Sequence, residues 1–220
     1  MKIIVHWLCA CFVAVGTAAA AGPGYFRGPA IHGDTIVFTA ESDLWRVGIE
    51  GGLAQRLTTH ANDEYGAAIS PDGATIAFTA SYEGPAEVYT MPVDGGAPGR
   101  MTHLGQGAFV RGWTPSGQIL FTTSAFSSLP NGQLATVDPA SAAIDVLPLH
   151  QAANGVFDPS GATLFFERLS FQGSPAKRYK GGTAQNLWRF TAGTDEAEPL
   201  TSDYAGTSKD PMWWDGRAYS

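Results

Sequence analysis

The stretch Ser70-Pro71-Asp72-Gly73, followed by the strand-forming run at residues 75–79, decides the fold of this chain. The pattern returns as Thr114-Pro115-Ser116-Gly117 and as Asp158-Pro159-Ser160-Gly161, and the last glycines of successive copies are 44 residues apart. Proline presets φ for a turn, Asp or Ser caps it, and glycine tolerates a positive φ. A turn signature repeated at constant spacing indicates one structural unit repeated in tandem.

Each repeat contains short segments of β-branched and aromatic residues, which strands prefer. The strands predicted after the turns are residues 34–39, 75–79, 118–122 and 163–167. A further strand is predicted in each repeat, at residues 43–47, 87–91, 133–137 and 186–190. Short outer strands are predicted to end at Leu57-Thr58, Met101-Thr102, Leu200-Thr201 and, in the third repeat, near Val146-Leu147. Units of about 44 residues with four strands each are typical of propeller blades.

The sequence therefore predicts an all-β chain that forms a β-propeller over residues 25–220. Four blades are expected to begin near Gly28, Ala67, Ala108 and Gly155, with a fifth opening at Asp210. The sequence stops within a predicted strand at residues 216–220, and an open blade leaves an unpaired edge. We expect a truncated propeller of which the whole ring has about six blades; the alternative is a four-bladed protein with a frayed end.

Residues 1–21 have a different composition from the rest of the chain. A lysine at position 2 precedes an almost wholly apolar run at residues 3–15, and small residues follow at 17–21. This pattern is typical of a secretory signal peptide, with cleavage expected after Ala20 or Ala21 and export, in our interpretation to the periplasm. An uncleaved anchor and a lipoprotein cleaved near Cys9 or Cys11 are the alternatives. No later run is long enough to cross a bilayer, so no membrane contact is expected after cleavage.

The composition and motifs point away from several kinds of chemistry. The net charge of −7 argues against a nucleic-acid partner, since phosphate binding needs basic surfaces. The histidines form no close-spaced cluster, and no Gly-x-Ser-x-Gly motif occurs, so no metal, cofactor or catalytic residue is predicted. The adjacent acids Asp63-Glu64 and Asp195-Glu196 are interpreted as solvated turns. The aromatic residues Trp45, Tyr89, Trp188, Trp213 and Trp214 are expected to pack between blades.

The opening of the chain resembles a known family. Residues 29–38 (PAIHGDTIVF), Asp43-Leu44-Trp45-Arg46-Val47 and Arg56-Leu57-Thr58, with residues 177–188 (KRYKGGTAQNLW), are similar to the first, six-bladed propeller of tricorn proteases. The Ser-Pro-Asp-Gly turn is also similar to the repeats of TolB-like propellers, which suggests a stand-alone interaction propeller as an alternative. A propeller that precedes an α/β-hydrolase domain, as in dipeptidyl peptidases, fits the opening less well.

The tricorn resemblance implies a large serine protease that trims oligopeptides and assembles as a homo-oligomer, with its catalytic residues outside these 220 positions. The propellers of the family act as filters and channels for peptide substrates. The resemblance further implies that Lys177 and Arg178 match an arginine pair that anchors the C-terminal carboxylate of the peptide. Lysine at the first position keeps the charge but loses the bidentate fork of arginine. Both residues lie in an insertion at residues 170–183, where a local positive cluster suits an anionic terminus.

Overall fold

The computed structural model describes residues 25–129, 131–171, 179 and 181–220, and the strands in them form four four-stranded antiparallel sheets and one hairpin. Blade 1 contains β1 (Arg27–His32), β2 (Thr35–Ala40), β3 (Asp43–Gly48) and β4 (Gly51–Arg56). Blade 2 contains β5 (Glu64–Ile69), β6 (Thr75–Ala80), β7 (Glu87–Pro92) and β8 (Gly99–Arg100). Blade 3 contains β9 (Ala108–Trp113), β10 (Ile119–Thr123), β11 (Gln133–Val137) and β12 (Ile144–Val146). Blade 4 contains β13 (Asn154–Phe157), β14 (Thr163–Glu167), β15 (Leu187–Thr191) and β16 (Glu198–Pro199).

A fifth unit begins with β17 (Met212–Trp214) and β18 (Arg217–Tyr219). In every sheet the strands pair in chain order, and successive first strands lie beside one another. The predicted propeller with four blades and the start of a fifth is therefore confirmed. The described blades form an open arc, because the extensive contacts between strands of different blades all join one blade to the next.

The repeated turn joins the first and second strands of blades 2 to 4. Gly73, Gly117 and Gly161 have φ values of +74°, +84° and +73°, and each N–H donates to the carbonyl three residues earlier. The first residue of each motif also accepts a hydrogen bond from the backbone where the next strand begins, as in Thr75 N to Ser70 Oγ at 2.9 Å. The turn thus closes each hairpin in one register, which fixes which side chains point toward which neighbouring blade.

Apolar clusters between successive blades form the core. Each second strand pairs with the third so that an aromatic side chain lies at its centre, as in Phe78 opposite Tyr89 and Phe166 opposite Trp188. Phe78, Phe121 and Phe166 are at most 1% exposed, and each packs on smaller aliphatic residues of the preceding blade. Because successive side chains of a strand point to opposite faces of the sheet, each blade has two apolar faces, one packed against each neighbouring blade.

The predicted packing of the aromatic set holds for most of its members. Tyr89 lies in the cluster between blades 1 and 2, Trp188 packs between blades 3 and 4, and Trp213 stacks on Phe165 with ring centroids 5.2 Å apart. Trp45 is half-buried beside a groove of about 450 Å³ on the free face of blade 1. Trp214 is 74% exposed, because successive residues of β17 point to opposite faces and Trp213 is the one that faces Phe165. The packing of Trp214 against a neighbouring blade stays a prediction.

A threonine after the outer strand fastens that strand in three blades. Thr58, Thr102 and Thr201 each accept, through Oγ1, a hydrogen bond of 2.8 or 2.9 Å from the N–H of a buried residue in the third strand. The hydroxyls of Thr58 and Thr102 donate in turn to buried carboxylates, those of Glu64 and Glu87. The threonine predicted at the end of the outer strand in the first, second and fourth repeats thus marks a specific hydrogen-bonded contact.

The interpretation of Glu64 as a solvated turn residue is wrong. Glu64 begins β5 and is 0% exposed, and its Oε2 accepts the Thr58 hydroxyl proton at 2.8 Å. Burial raises the pKa of Glu64, the charge of Asp43 adds to this, and contacts with Thr58 and Tyr82 oppose it. Asp195 and Glu196 are exposed, as expected.

Candidate functional site

The basic stretch at residues 168–194 stands out in an acidic chain. It holds no Asp or Glu, and it carries five of the 13 Lys and Arg residues, namely Arg168, Lys177, Arg178, Lys180 and Arg189. Lys177 and Arg178, the predicted carboxylate anchors, lie outside the described residues, as does Lys180. The concentration of positive charge is a property of the sequence, and it favours an anionic partner near the insertion.

The flanks of the insertion are held together at its base. Gln185 Nε2 donates to the carbonyl of Leu169 at 3.0 Å, and the N–H of Ser208 donates to the carbonyl of Gln185. Arg168 lies over the ring of Trp188, with 5.2 Å from its guanidinium carbon to the ring centroid. The described residues on either side of the insertion are therefore held at fixed points on blade 4.

The first strands of the blades form the inner edge of the arc. We use "inner edge" for β1, β5, β9, β13 and β17, which follow one another in space. β1, β5 and β9 each contain a β-bulge, where one residue more than on the second strand is accommodated. Bulges re-aim a side chain and interrupt pairing, and they are over-represented beside functional sites.

Arg111 is the extra residue of the bulge in β9. Leu120 pairs with Gly112 and Phe121 with Val110, so Arg111 has no partner in the register. Its Nε donates to Thr122 Oγ1 at 2.9 Å, which fixes the direction of the guanidinium. The side chain lines a cavity of about 790 Å³ together with Asn154 and Lys209. Sequence reasoning missed this residue because the bulge depends on the pairing of β9 with β10; the only local signal was a cation within an otherwise apolar first strand.

The carboxylates around Arg111 are already engaged by other donors. Asp210 accepts from Asn154 Nδ2 at 3.2 Å and lies 3.6 Å from Lys209 Nζ, while Glu167 Oε2 accepts from the N–H of Asp210 at 3.3 Å. Desolvation by nearby protein atoms lowers the pKa of Arg111, although the residue is exposed at the surface of the cavity. The charges of Glu167 and Asp210 oppose that shift, and the side chain remains a cation at neutral pH.

The described part of the chain shows no group of three or more His, Cys, Asp or Glu side chains that could hold a metal ion. No helix among the same residues has the length and apolar character needed to cross a membrane.

Comparison with known proteins places this geometry in a family. A model of the tricorn protease N-terminal β-propeller domain matches residues 23–219. The chain belongs to this family. Tricorn protease homolog 1 of Streptomyces coelicolor is 32% identical over 201 residues, which cover 90% of this chain and 19% of the relative. The chain therefore spans about a fifth of the length of that tricorn homologue.

Solved structures agree on the fold. The crystal structure of the tricorn protease matches with a TM-score of 0.75 and 23% identity, over 90% of this chain and 20% of that one. TolB from Acinetobacter baumannii matches with a TM-score of 0.65 and 20% identity, over 86% of this chain and 46% of that one. At this level of identity both likenesses establish the propeller fold, and the membership of the tricorn propeller family comes from the sequence match.

Proposed function

We propose that this chain is the substrate-channel and gating propeller of an exported, tricorn-like serine protease that degrades oligopeptides. Family membership and the span of about a fifth of a tricorn homologue support the proposal. The catalytic residues of such a protease would lie outside these 220 positions, and the full-length protein would act as a homo-oligomer. The apolar leader at residues 1–21, which lies outside the described residues, supports export, and we propose a periplasmic location.

The observation that carries the proposal is the acid-free basic stretch at residues 168–194. Oligopeptides end in a carboxylate, and a loop with several cations and no acidic side chain attracts that group. We propose that Lys177 and Arg178 bind the C-terminal carboxylate, with Arg178 able to form a bidentate contact and Lys177 acting as a point charge.

A second candidate function is a stand-alone TolB-like propeller that binds protein partners. The match to a TolB structure favours it, since TolB shares the same blade architecture. The two candidates differ in a simple observable: only the first predicts that the full-length protein hydrolyses peptides.

Removing both proposed anchors should reduce turnover selectively. We expect the double variant Lys177→Gln/Arg178→Gln of the full-length protein to lose about tenfold or more in kcat/KM for peptides with a free C terminus, because charge-assisted hydrogen bonds to the carboxylate are lost. The same peptides with an amidated C terminus should be cleaved equally by both proteins. Peptide hydrolysis followed by mass spectrometry provides the measurement.

The matched control removes an arginine outside the basic stretch whose charge is already paired. Arg46 lies against Asp94, whose side chain is mostly exposed. The variant Arg46→Gln should retain the rate on both peptide classes. If the double variant loses kcat/KM equally on free and amidated peptides, Lys177 and Arg178 do not bind the carboxylate. If the wild-type full-length protein does not hydrolyse oligopeptides, the protease function is excluded and the TolB-like function is the remaining candidate.

A further inference from the structure

A second, separate cation faces the interior of the arc at Arg111. Its Nε is held by Thr122, while its Nη1 and Nη2 have no hydrogen-bond or ion-pair partner among residues 25–129, 131–171, 179 and 181–220. The residues outside those ranges include no Asp or Glu, so none of them supplies a side-chain carboxylate. An arginine with a fixed stem and a free fork is prepared for a bidentate anion contact.

Glu167 and Asp210 are the carboxylates whose charges act on Arg111, but neither forms an ion pair with its Nη1 or Nη2. Asp210 is engaged by Asn154 and Lys209, and Glu167, 5% exposed, accepts the N–H of Asp210. They balance the charge of Arg111 through space without contacting it. An incoming carboxylate can therefore form direct hydrogen bonds without displacing an existing partner.

The cavity beside Arg111 has room for part of a peptide. Its volume is about 790 Å³, and its walls include Val156, Met212 and Trp213, together with the second cation, Lys209, and the carboxylate of Asp210 that pairs with it. Apolar walls with two cations and one carboxylate have a net positive charge, which suits an extended peptide that carries a carboxylate. A nucleic acid fits less well, because its many phosphates would lie against a chain with a net charge of −7.

We infer that Arg111 binds a carboxylate of a peptide lying along the inner edge, at a site distinct from Lys177 and Arg178. The inference rests on the proposed peptide-handling function. The carboxylate comes from an Asp or Glu side chain within the peptide, because the proposed function assigns the C-terminal carboxylate to Lys177 and Arg178. Arg111 thereby makes the inner edge selective for peptides with an acidic group.

Binding to the full-length protein, inactivated with a serine-directed fluorophosphonate, tests the inference. Three fluorescein-labelled peptides of one length are compared by anisotropy: neutral and amidated, amidated with one central Glu, and neutral with a free C terminus. The wild-type protein should bind the peptide with a central Glu about tenfold more tightly than the neutral amidated one, as expected for charge-assisted hydrogen bonds. Arg111→Gln should abolish this preference and leave the neutral amidated peptide unaffected. The peptide with a free C terminus should bind the wild-type protein and the Arg111 variant equally well.

The controls separate this inference from the proposed function. Arg46→Gln removes an arginine that is paired with Asp94 and lies outside both proposed binding sites, and it should change none of the three affinities. If Arg111→Gln does not fold, Arg111→Lys is tested instead. Lysine keeps the positive charge but cannot form the bidentate contact, so the preference for the acidic peptide over the neutral one should fall severalfold. A preference unchanged in the folded Arg111 variant, or equal wild-type affinity for all three peptides, overturns the inference and leaves the proposed function standing. If the wild-type protein binds no peptide, both are overturned.

Discussion

Replacing Phe121 with alanine is expected to lower the free energy of unfolding of the propeller by about 3–5 kcal/mol. Phe121 is 0% exposed and lies among Ala77 and Val88 of blade 2 and Ala135 of blade 3. These neighbours belong to strands fixed by their own ladders, so they cannot move in to fill the cavity. The loss of buried apolar area and the remaining void therefore both contribute.

Native-state amide hydrogen exchange on the full-length protein measures this effect, because it reports the opening of individual blades in a protein with several domains. The most protected amides of β9, β10 and β11 should lose protection. Phe126→Ala is the control, since Phe126 follows β10 and is 44% exposed, and it should cost less than about 1 kcal/mol. Equal effects of the two substitutions would contradict the packing of blade 2 on blade 3.

Replacing Arg100 with methionine is expected to cost about 3 kcal/mol, since it removes the cation from a buried carboxylate. Glu87 is 0% exposed, and its Oε1 lies 3.2 Å from Arg100 Nη2. Arg100 also donates to Glu83 at 2.8 Å and to the carbonyl of Thr102 at 2.8 Å, so it ties the outer strand of blade 2 to the third. Methionine keeps the aliphatic stem and isolates the loss of charge and hydrogen bonds.

The control for Arg100 is Arg46→Met. Arg46 pairs with Asp94, whose side chain is 79% exposed, and exposed pairs contribute about 0.5 kcal/mol. In the double variant Arg100→Met/Glu87→Gln the two costs should not add, because the buried charge is removed together with its partner. Strictly additive costs would show that Glu87 does not depend on Arg100.

The blade architecture could be predicted from local chemistry. The turns at Gly73, Gly117 and Gly161 need a positive φ within a few residues of a strand-forming run, and this requirement is visible in the sequence without any tertiary contact. The boundaries of the second and third strands were predicted to within one residue for the same reason.

The candidate site could be predicted only in part. The cluster around Lys177 and Arg178 was visible as a run of charge, although both residues lie outside the described ranges. The role of Arg111 depends on a bulge in β9, and the burial of Glu64 depends on a hydrogen bond from Thr58 of the preceding blade. Both features arise from strand register and blade packing, which a periodic sequence pattern does not specify.

The central claim is that peptides lie against this propeller in the full-length protein. Photo-crosslinking with an oligopeptide that contains benzoylphenylalanine, followed by mass spectrometric mapping, tests it most directly. We expect the crosslinks to concentrate on the inner edge around Arg111 and on residues 168–194. An excess of unlabelled oligopeptide should prevent their formation. Competable crosslinks that avoid residues 25–220 altogether would contradict it.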